Sequence, residues 1–477
     1  MLSSQASLLE TVSNDFFGLP MITPSASAAR AATYFSSGAR GLGGGDGSYL
    51  FGVQPDVFQE MEALARLILD MKTERDLDRG WNYPAERVSV IYPDDTYGTI
   101  AASAFVRAVR SAEGVNVDSN AAGQMPATIE LVRSKPVDAI PGTDFRPTLS
   151  ALAEMHASIV VLLSEGYDGV FVRSVLEQAL EVGLAGEGVQ WFLSGATAMD
   201  GIFTLNDSYH DAQLAYDFRG TMGVRACPAI EGPGSEALAS LTSRWAGLDD
   251  REYPGAGFGT LTPDGRLDPL LAYAYDAVFA LAGAIYSVKE EAAQWGGVLD
   301  GFIAESCPFR TEGLWADGET IREAALETEV VGVTGRIAFM DGTSPVTSGA
   351  GTAGSGWRRA NGTEFCALNL QPHPSLGATF ATTMIWKPDT FVDANGTATT
   401  ATFEKISPYQ KNQTFPAGSD VYPFDRPTLS RQHFEVITEE AAIPFAVITG
   451  RESETRDYEG IAMDLLQVLQ PKKHHES

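Results

Sequence analysis

Short apolar runs alternate with longer stretches of helical periodicity through the first two-thirds of the chain. RVSVIY at 87–92 is followed by a turn, DDTYGT, and then by IAASAFVRAVRSAEG, where apolar residues recur every three or four positions. The pattern repeats in SIVVLLSEG at 158–166 followed by VFVRSVLEQALEVGL, and again in VQWFLSGA at 189–196. A strand leading into a helix and on to another strand is the βα signature of a parallel sheet. The strands are nearly continuous apolar runs, so both faces of the sheet are expected to be covered.

After about residue 330 the texture changes. VTGRIAFMDGT predicts a hairpin, and a Gly- and Ser-rich excursion, SPVTSGAGTAGSGWRRANGT, precedes the apolar runs EFCALNLQ and TTMIWKP. Residues 388–430, rich in Pro, Thr and Asn, predict an extended linker. HFEVITEEAAIPFAVITGRESETRDYEGIAMDLLQVLQ then predicts a strand, a loop and a helix from near Gly460, too little to close a core, and PKKHHES predicts a frayed terminus. In VFQEMEALARLILDM an apolar stripe at 57, 58, 61, 64, 67, 68 and 71 is expected to face the core. The most apolar stretch, 269–288, carries Asp276 at its centre, where a charge costs roughly 2.5–3.5 kcal/mol in a bilayer. It predicts a buried helix rather than a membrane span.

A length of 477 residues allows two or three compact units, and 44% hydrophobic with 20% charged residues predicts a soluble folded body. Lys and Arg number 33 against 62 Asp and Glu, a formal charge of −29 that repels nucleic acid and anionic lipid. The start shows no basic segment followed by an apolar run, so either a cytosolic chain or a fragment is expected. Cys227, Cys307 and Cys366 are too scattered for a zinc site; in an exported protein they allow one disulfide and one orphan. N-x-[ST] sequons occur at Asn206, Asn361, Asn395 and Asn412. GARGLGGGDG at 38–47 does not fit G-x-G-x-x-G, and P-loop, HExxH and GxSxG patterns are absent. The six histidines form no cluster at ligand or triad spacing apart from the terminal pair His474 and His475. No enzyme activity, metal or cofactor is expected.

LSSQASLLETVSNDFFGLPMITPSASA resembles the segment after the second strand in the extracellular ligand-binding region shared by metabotropic glutamate receptors, natriuretic peptide receptors and ionotropic glutamate receptor amino-terminal domains. Further matching blocks follow in the family's order: YLFGVQPDVFQEMEALARLI, VSVIYPDDTYGTIAASAFVRAV, ASIVVLLSEGYDGVFVRSVLEQALEVGL, LLAYAYDAVFALAGAI and VGVTGRIAFMDGT. The resemblance implies an α/β, two-lobed clamshell of the type 1 periplasmic-binding-protein kind, with two Rossmann-like lobes, three crossovers and a ligand in the cleft. Residues 1–387 would form it, lobe 1 taking about 1–113 and 265–330, and lobe 2 about 114–264 and 331–387. The strand, helix and strand that precede SSQAS in the family are lacking, so an N-terminally incomplete fold is expected. FEVITEEAAIPFAVI and DYEGIAMDLL are similar to the start of the type 2 periplasmic-binding-like domain of ionotropic glutamate receptors, which would occupy 431–470 in truncated form.

The resemblance also implies where a ligand is held. Ser4 opens the SSQASLLE helix, whose N–H groups favour an anion; without the resemblance it is an ordinary N-cap. Ser25 and Ser27 in TPSASA match positions giving backbone and hydroxyl contacts in amino-acid-binding relatives, or else form a capped turn after Pro24. Tyr97 falls where the family has a cleft tyrosine, although the Tyr-Gly pair also shapes the turn. Glu165 and Gly166 lie at the carboxyl end of a strand, on the lobe 2 rim. Asp56 matches a cleft aspartate after a one-residue gap, or caps the next helix. At LSGATAMDG glutamate-binding relatives have Gly-Ser-Asp, the Asp holding the ligand's ammonium; here Ala196 or Thr197 stands instead, with Ser194 as a weaker contact. Unless Glu165 substitutes, an α-amino acid loses a bond worth roughly 1.5–3 kcal/mol.

The implied protein is the extracellular, glycosylated sensory region of a plasma-membrane receptor, joined to the membrane only through downstream segments. Its partners would be a small, amino-acid-like polar ligand and a second lobe 1 in a homo- or heterodimer. One alternative is a non-binding dimerisation module of such a receptor. Another is the solute-binding protein of an amino-acid transporter.

Overall fold

The computed structural model describes residues 20–23, 50–55, 57–79, 86–112, 129–137, 142–155, 159–164, 169–186, 188–195, 197–198, 202–203, 209–228, 232–254, 267–294, 316–341, 357–359, 364–373, 377–386, 403–405, 447–448 and 458–459. Eight helices occur among them: α1 Val57–Arg79, α2 Thr96–Ala112, α3 Arg146–Glu154, α4 Gly169–Glu181, α5 Tyr209–Asp217, α6 Gly232–Ala246, α7 Pro269–Gln294 and α8 Ala316–Glu327. Strands β1 Met21–Thr23, β2 Leu50–Gly52, β8 Glu329–Gly332, β9 Gly335–Asp341 and β10 Trp357–Arg359 form one sheet in the order β1-β2-β10-β9-β8. Strands β3 Glu86–Pro93, β4 Ile129–Val137, β5 Ile159–Leu162, β6 Gln190–Leu193, β7 Met222–Ala226, β11 Phe365–His373, β12 Gly377–Trp386 and β13 Phe403–Lys405 form a second, in the order β13-β12-β11-β7-β6-β5-β3-β4.

In the larger sheet β4, β3, β5, β6 and β7 are parallel, while β11, β12 and β13 run antiparallel along one edge. Every residue of β5 and β6 is buried, as strands covered on both faces require. Trp191 of β6 packs edge-on against Phe218 with ring centroids 5.5 Å apart, and its indole N–H donates to the Leu184 carbonyl over 2.9 Å. Phe203 bridges Phe218 to Phe380 of β12, so the antiparallel edge shares the core of the parallel half. The stripe of α1 is core as expected: Val57, Met61, Leu64, Leu67, Ile68 and Met71 are buried, and Phe58 alone of the seven is exposed, at 40%. The helix lies along α2 and packs on β7, β11 and β13 of the larger sheet.

The smaller sheet carries α6, α7 and α8. The predicted hairpin is β8 and β9, joined through Val333 and Thr334. Asp276 of α7 is fully buried, and its carboxylate accepts the N–H groups of Val333 (2.8 Å) and Thr334 (2.7 Å) and the Thr334 hydroxyl. The charge that argues against a membrane span is thus the clasp holding the helix to the turn. α7 is long and apolar enough by composition to cross a membrane. Contrary to the expectation of a buried helix, it is buried on one face only, with Tyr275, Val278, Phe279, Ile285 and Tyr286 exposed on the other.

The lobe limits read from the sequence need correction. β3 was expected in lobe 1 but pairs with β4 and β5 in the larger sheet, so the chain has already crossed before residue 86. Expected in lobe 2, α6 packs on β8 and β9 of the smaller sheet, and β9 and β10 belong to that sheet as well. β13, inside the expected linker, is an edge strand paired with β12. Both lobes are made of the same βα units, and lobe membership is decided by hydrogen-bond partners far away in sequence. The three crossings lie between β2 and α1, between β7 and α6, and between β10 and β11.

The chain divides into two compact units, Met1–Val421 and Tyr422–Ser477. Within the second, β14 Val447–Ile448 pairs antiparallel with β15 Tyr458–Glu459; the helix predicted from Gly460 lies outside the described residues.

Cys227 and Cys366 form a disulfide, whereas Cys307 and the four sequons lie outside the described residues. Reduction opens a cross-link between residues 139 apart in sequence, and is expected to remove about 2–5 kcal/mol of stability; a melting temperature unmoved by reductant would contradict this. Asp276→Ala leaves two buried N–H groups without their acceptor and is expected to cost about 2–5 kcal/mol in denaturant unfolding. A Cβ on Gly332 would lie 2.2 Å from Asp276 Oδ1, so Gly332→Ala is expected to cost about 1–3 kcal/mol. Unchanged midpoints in both variants would rule out the clasp.

Candidate functional site

A small hollow lies where the three crossings meet. Gln54 and Pro55 reach it from the first, Arg225 and Ala226 from the second, and Phe365 from the third. Gly195 lines it from the turn after β6, Glu60 from the first turn of α1, and Asp268 and Tyr273 from the start of α7. The hollow therefore sits at the carboxyl ends of β2, β6 and β7, where α/β folds bind their ligands.

Local chemistry fixes each wall. Asp268 caps α7, its Oδ1 accepting the Leu270 N–H over 2.7 Å, with Pro269 at the first helical position. One turn on, the buried Tyr273 hydroxyl donates to the Cys227 carbonyl over 3.3 Å. The Cys227 N–H donates to the Glu364 carbonyl over 2.8 Å, and the disulfide to Cys366 binds the same two crossings covalently. On the opposite wall the Glu60 carboxylate, 7% exposed, accepts the Gly195 N–H over 2.6 Å. A Cβ on Gly195 would meet Arg225 Cβ at 3.0 Å and Glu60 Oε1 at 3.2 Å, so this turn approaches both charged residues closely only because it lacks a side chain.

Glu60, Asp268 and Arg225 thus line one cavity, beside a backbone N–H that already holds the Glu60 carboxylate. Such a wall suits a ligand carrying both charge signs. In this arrangement the cavity measures ≈ 70 Å³, room for about two waters.

Of the residues singled out from the sequence, Ser4, Ser25, Ser27, Glu165, Gly166, Asp56 and Ala196 lie outside the described residues. Tyr97 is in the first turn of α2 and 2% exposed. Its turn is capped by Asp95, which accepts the Gly98 N–H over 2.7 Å. A Cβ on Gly98 would lie 2.1 Å from the Pro93 carbonyl oxygen, so the Tyr-Gly pair does shape this turn.

Ser194 is fully buried and joins the ends of β5 and β6: its hydroxyl donates to the Ser164 carbonyl and accepts the Ser164 N–H, both at 3.1 Å. Thr197 donates its own hydroxyl to the Ser194 carbonyl over 2.7 Å. Both hydroxyls close the strand end. The charged residues the structure adds are Glu60, Arg225 and Asp268. Their signals in the sequence were slight: an acid among the apolar positions of VFQEMEAL, a base inside the strand MGVRA, and an acid before Pro at a helix start.

The profile of the receptor family ligand binding region matches residues 4–347. No curated protein matches the chain. Among solved structures, an ABC transporter substrate-binding protein from Desulfitobacterium hafniense is 13% identical with a TM-score of 0.46, covering 80% of this chain and 78% of its own. A complex with Leu of the ABC transporter substrate-binding protein from that organism is 14% identical, with the same TM-score and coverage. Two sheets joined by three crossings, and a profile matching most of the chain, make this a member of the receptor family ligand binding region, with the two-lobed type 1 periplasmic-binding-protein fold.

Proposed function

We propose that the chain is the extracellular sensory region of a membrane receptor of the ionotropic-glutamate-receptor kind, binding an amino acid or another small polar ligand between its lobes and catalysing no reaction. The observation that carries this reading is the hollow at the crossings, lined by Glu60, Asp268 and Arg225 together with Gly195, whose N–H the Glu60 carboxylate accepts. A hinge-side cavity of mixed charge can read a zwitterion and couple its capture to lobe movement.

Two further features support the receptor. The Cys227–Cys366 disulfide suits an oxidising, extracellular setting. In the sequence, the clamshell runs on into blocks similar to the start of a type 2 periplasmic-binding-like domain, an order of modules that a free solute-binding protein does not share.

Small-angle scattering of the full chain with each of the twenty L-amino acids tests the reading. At least one is expected to reduce the radius of gyration as the lobes close. A particle that is dimeric and unchanged by all of them would be an assembly module instead.

A further inference from the structure

We infer that the exposed face of α7 is an interface between two copies of this chain, which pair these helices antiparallel about a two-fold axis at Ala282. The inference goes beyond ligand binding and does not rest on it. Tyr275, Val278, Phe279, Ala282, Ile285 and Tyr286 are all exposed, Val278 by 70% and Tyr286 by 60%, and the exposed Lys289 extends the row. Steps of three and four residues put them on one face of the helix, the pattern of a two-helix seam.

The opposite face is fixed in place. Asp276 clasps it to the β8–β9 turn, and Gly283 lies so close to Thr328 and Val330 that a Cβ would meet a methyl carbon of each at 3.4 Å. Turning the helix to bury the apolar row would break the clasp, so the row stays available to a partner.

The order of side chains along the row says what covers it. Val278 and Tyr286 each lie four residues from Ala282, Phe279 and Ile285 three, and Tyr275 and Lys289 seven. Two antiparallel copies crossing at Ala282 therefore set Val278 on the partner's Tyr286 and Phe279 on the partner's Ile285. Ala282 meets its own counterpart on the axis, where a methyl group lets the helices approach. The outermost pair joins a cation to an aromatic face: Tyr275 stacks on Phe279 with ring centroids 6.2 Å apart, and the partner's Lys289 comes over that ring pair. From Tyr275 to Val288 the sole charge is Asp276, which is buried, on a chain whose formal charge is −29. The face offers no charge with which to select a different protein, and it is complementary to itself.

Area and charge set the strength. The row is roughly 21 Å long and about 10 Å wide, well under the roughly 800 Å² that each partner gives to a standard interface. Two chains of −29 also repel one another. The dimer is therefore weak and reversible, and salt that screens the repulsion strengthens it.

Sedimentation velocity of the full chain without ligand, over about a hundredfold range of concentration and at low and high salt, tests the pairing. Wild type is expected to shift reversibly from monomer to dimer, and further at high salt. Ala282→Glu and Ala282→Lys each place like charges on the axis and are expected to weaken dimerisation by about tenfold or more. Mixed with each other, the two variants are expected to regain it. Circular dichroism confirms folding, and should either variant fail to fold, Val278→Asp is expected to weaken the same seam from a position off the axis. A chain that stays monomeric at every concentration would overturn the inference, as would a dimer that both Ala282 variants leave intact, or a loss that mixing does not repair. Ligand binding is read separately, from closure of the lobes in scattering, so either reading can fail while the other stands.

Discussion

Cys227 occupies the point on which the two-lobed arrangement depends. It directly follows β7 and opens the second crossing, while Cys366, its disulfide partner, lies at the start of β11 just past the third. The Cys227 N–H to Glu364 carbonyl bond and the Tyr273 hydroxyl to Cys227 carbonyl bond add two more ties at the same place. Two backbone segments passing between lobes would otherwise each be a separate swivel. Joined covalently, they move as one, which restricts the lobes to motions about a shared axis.

This constraint also creates the site. Because the crossings are held together, the carboxyl ends of β6 and β7 are brought beside the loop after β2 and the start of α7. Strand ends and a helix N-terminus supply oriented N–H groups without further machinery. Charged side chains then need only short reaches, and Glu60 already closes the gap to Gly195. Farther out, the Asp276 clasp fixes α7 to the β8–β9 turn, so the helix that contributes Asp268 and Tyr273 is anchored on the smaller sheet as well as at the hinge.

Much of the fold can be read in the sequence, and the part that cannot has a definite cause. The apolar runs of β5 and β6 announce a doubly covered sheet, and the hairpin around Val333 is visible in its pattern. Lobe membership is not legible, because β3 and β2 look alike as apolar strands and differ only in their hydrogen-bond partners. The site suffers more. Ser194 has the right position and residue type for a ligand contact, yet its hydroxyl serves Ser164. Glu60 has no motif around it, and its meeting with Gly195 follows from the crossing geometry rather than from any local signal.

A ligand-bound structure would test most directly whether the hinge-side hollow is the binding site. Crystals grown with a saturating amino acid should show the ligand in the hollow lined by Glu60, Gly195 and Arg225, with the Gly195 N–H no longer held by Glu60. A ligand held elsewhere, with Glu60 still on Gly195, would contradict it.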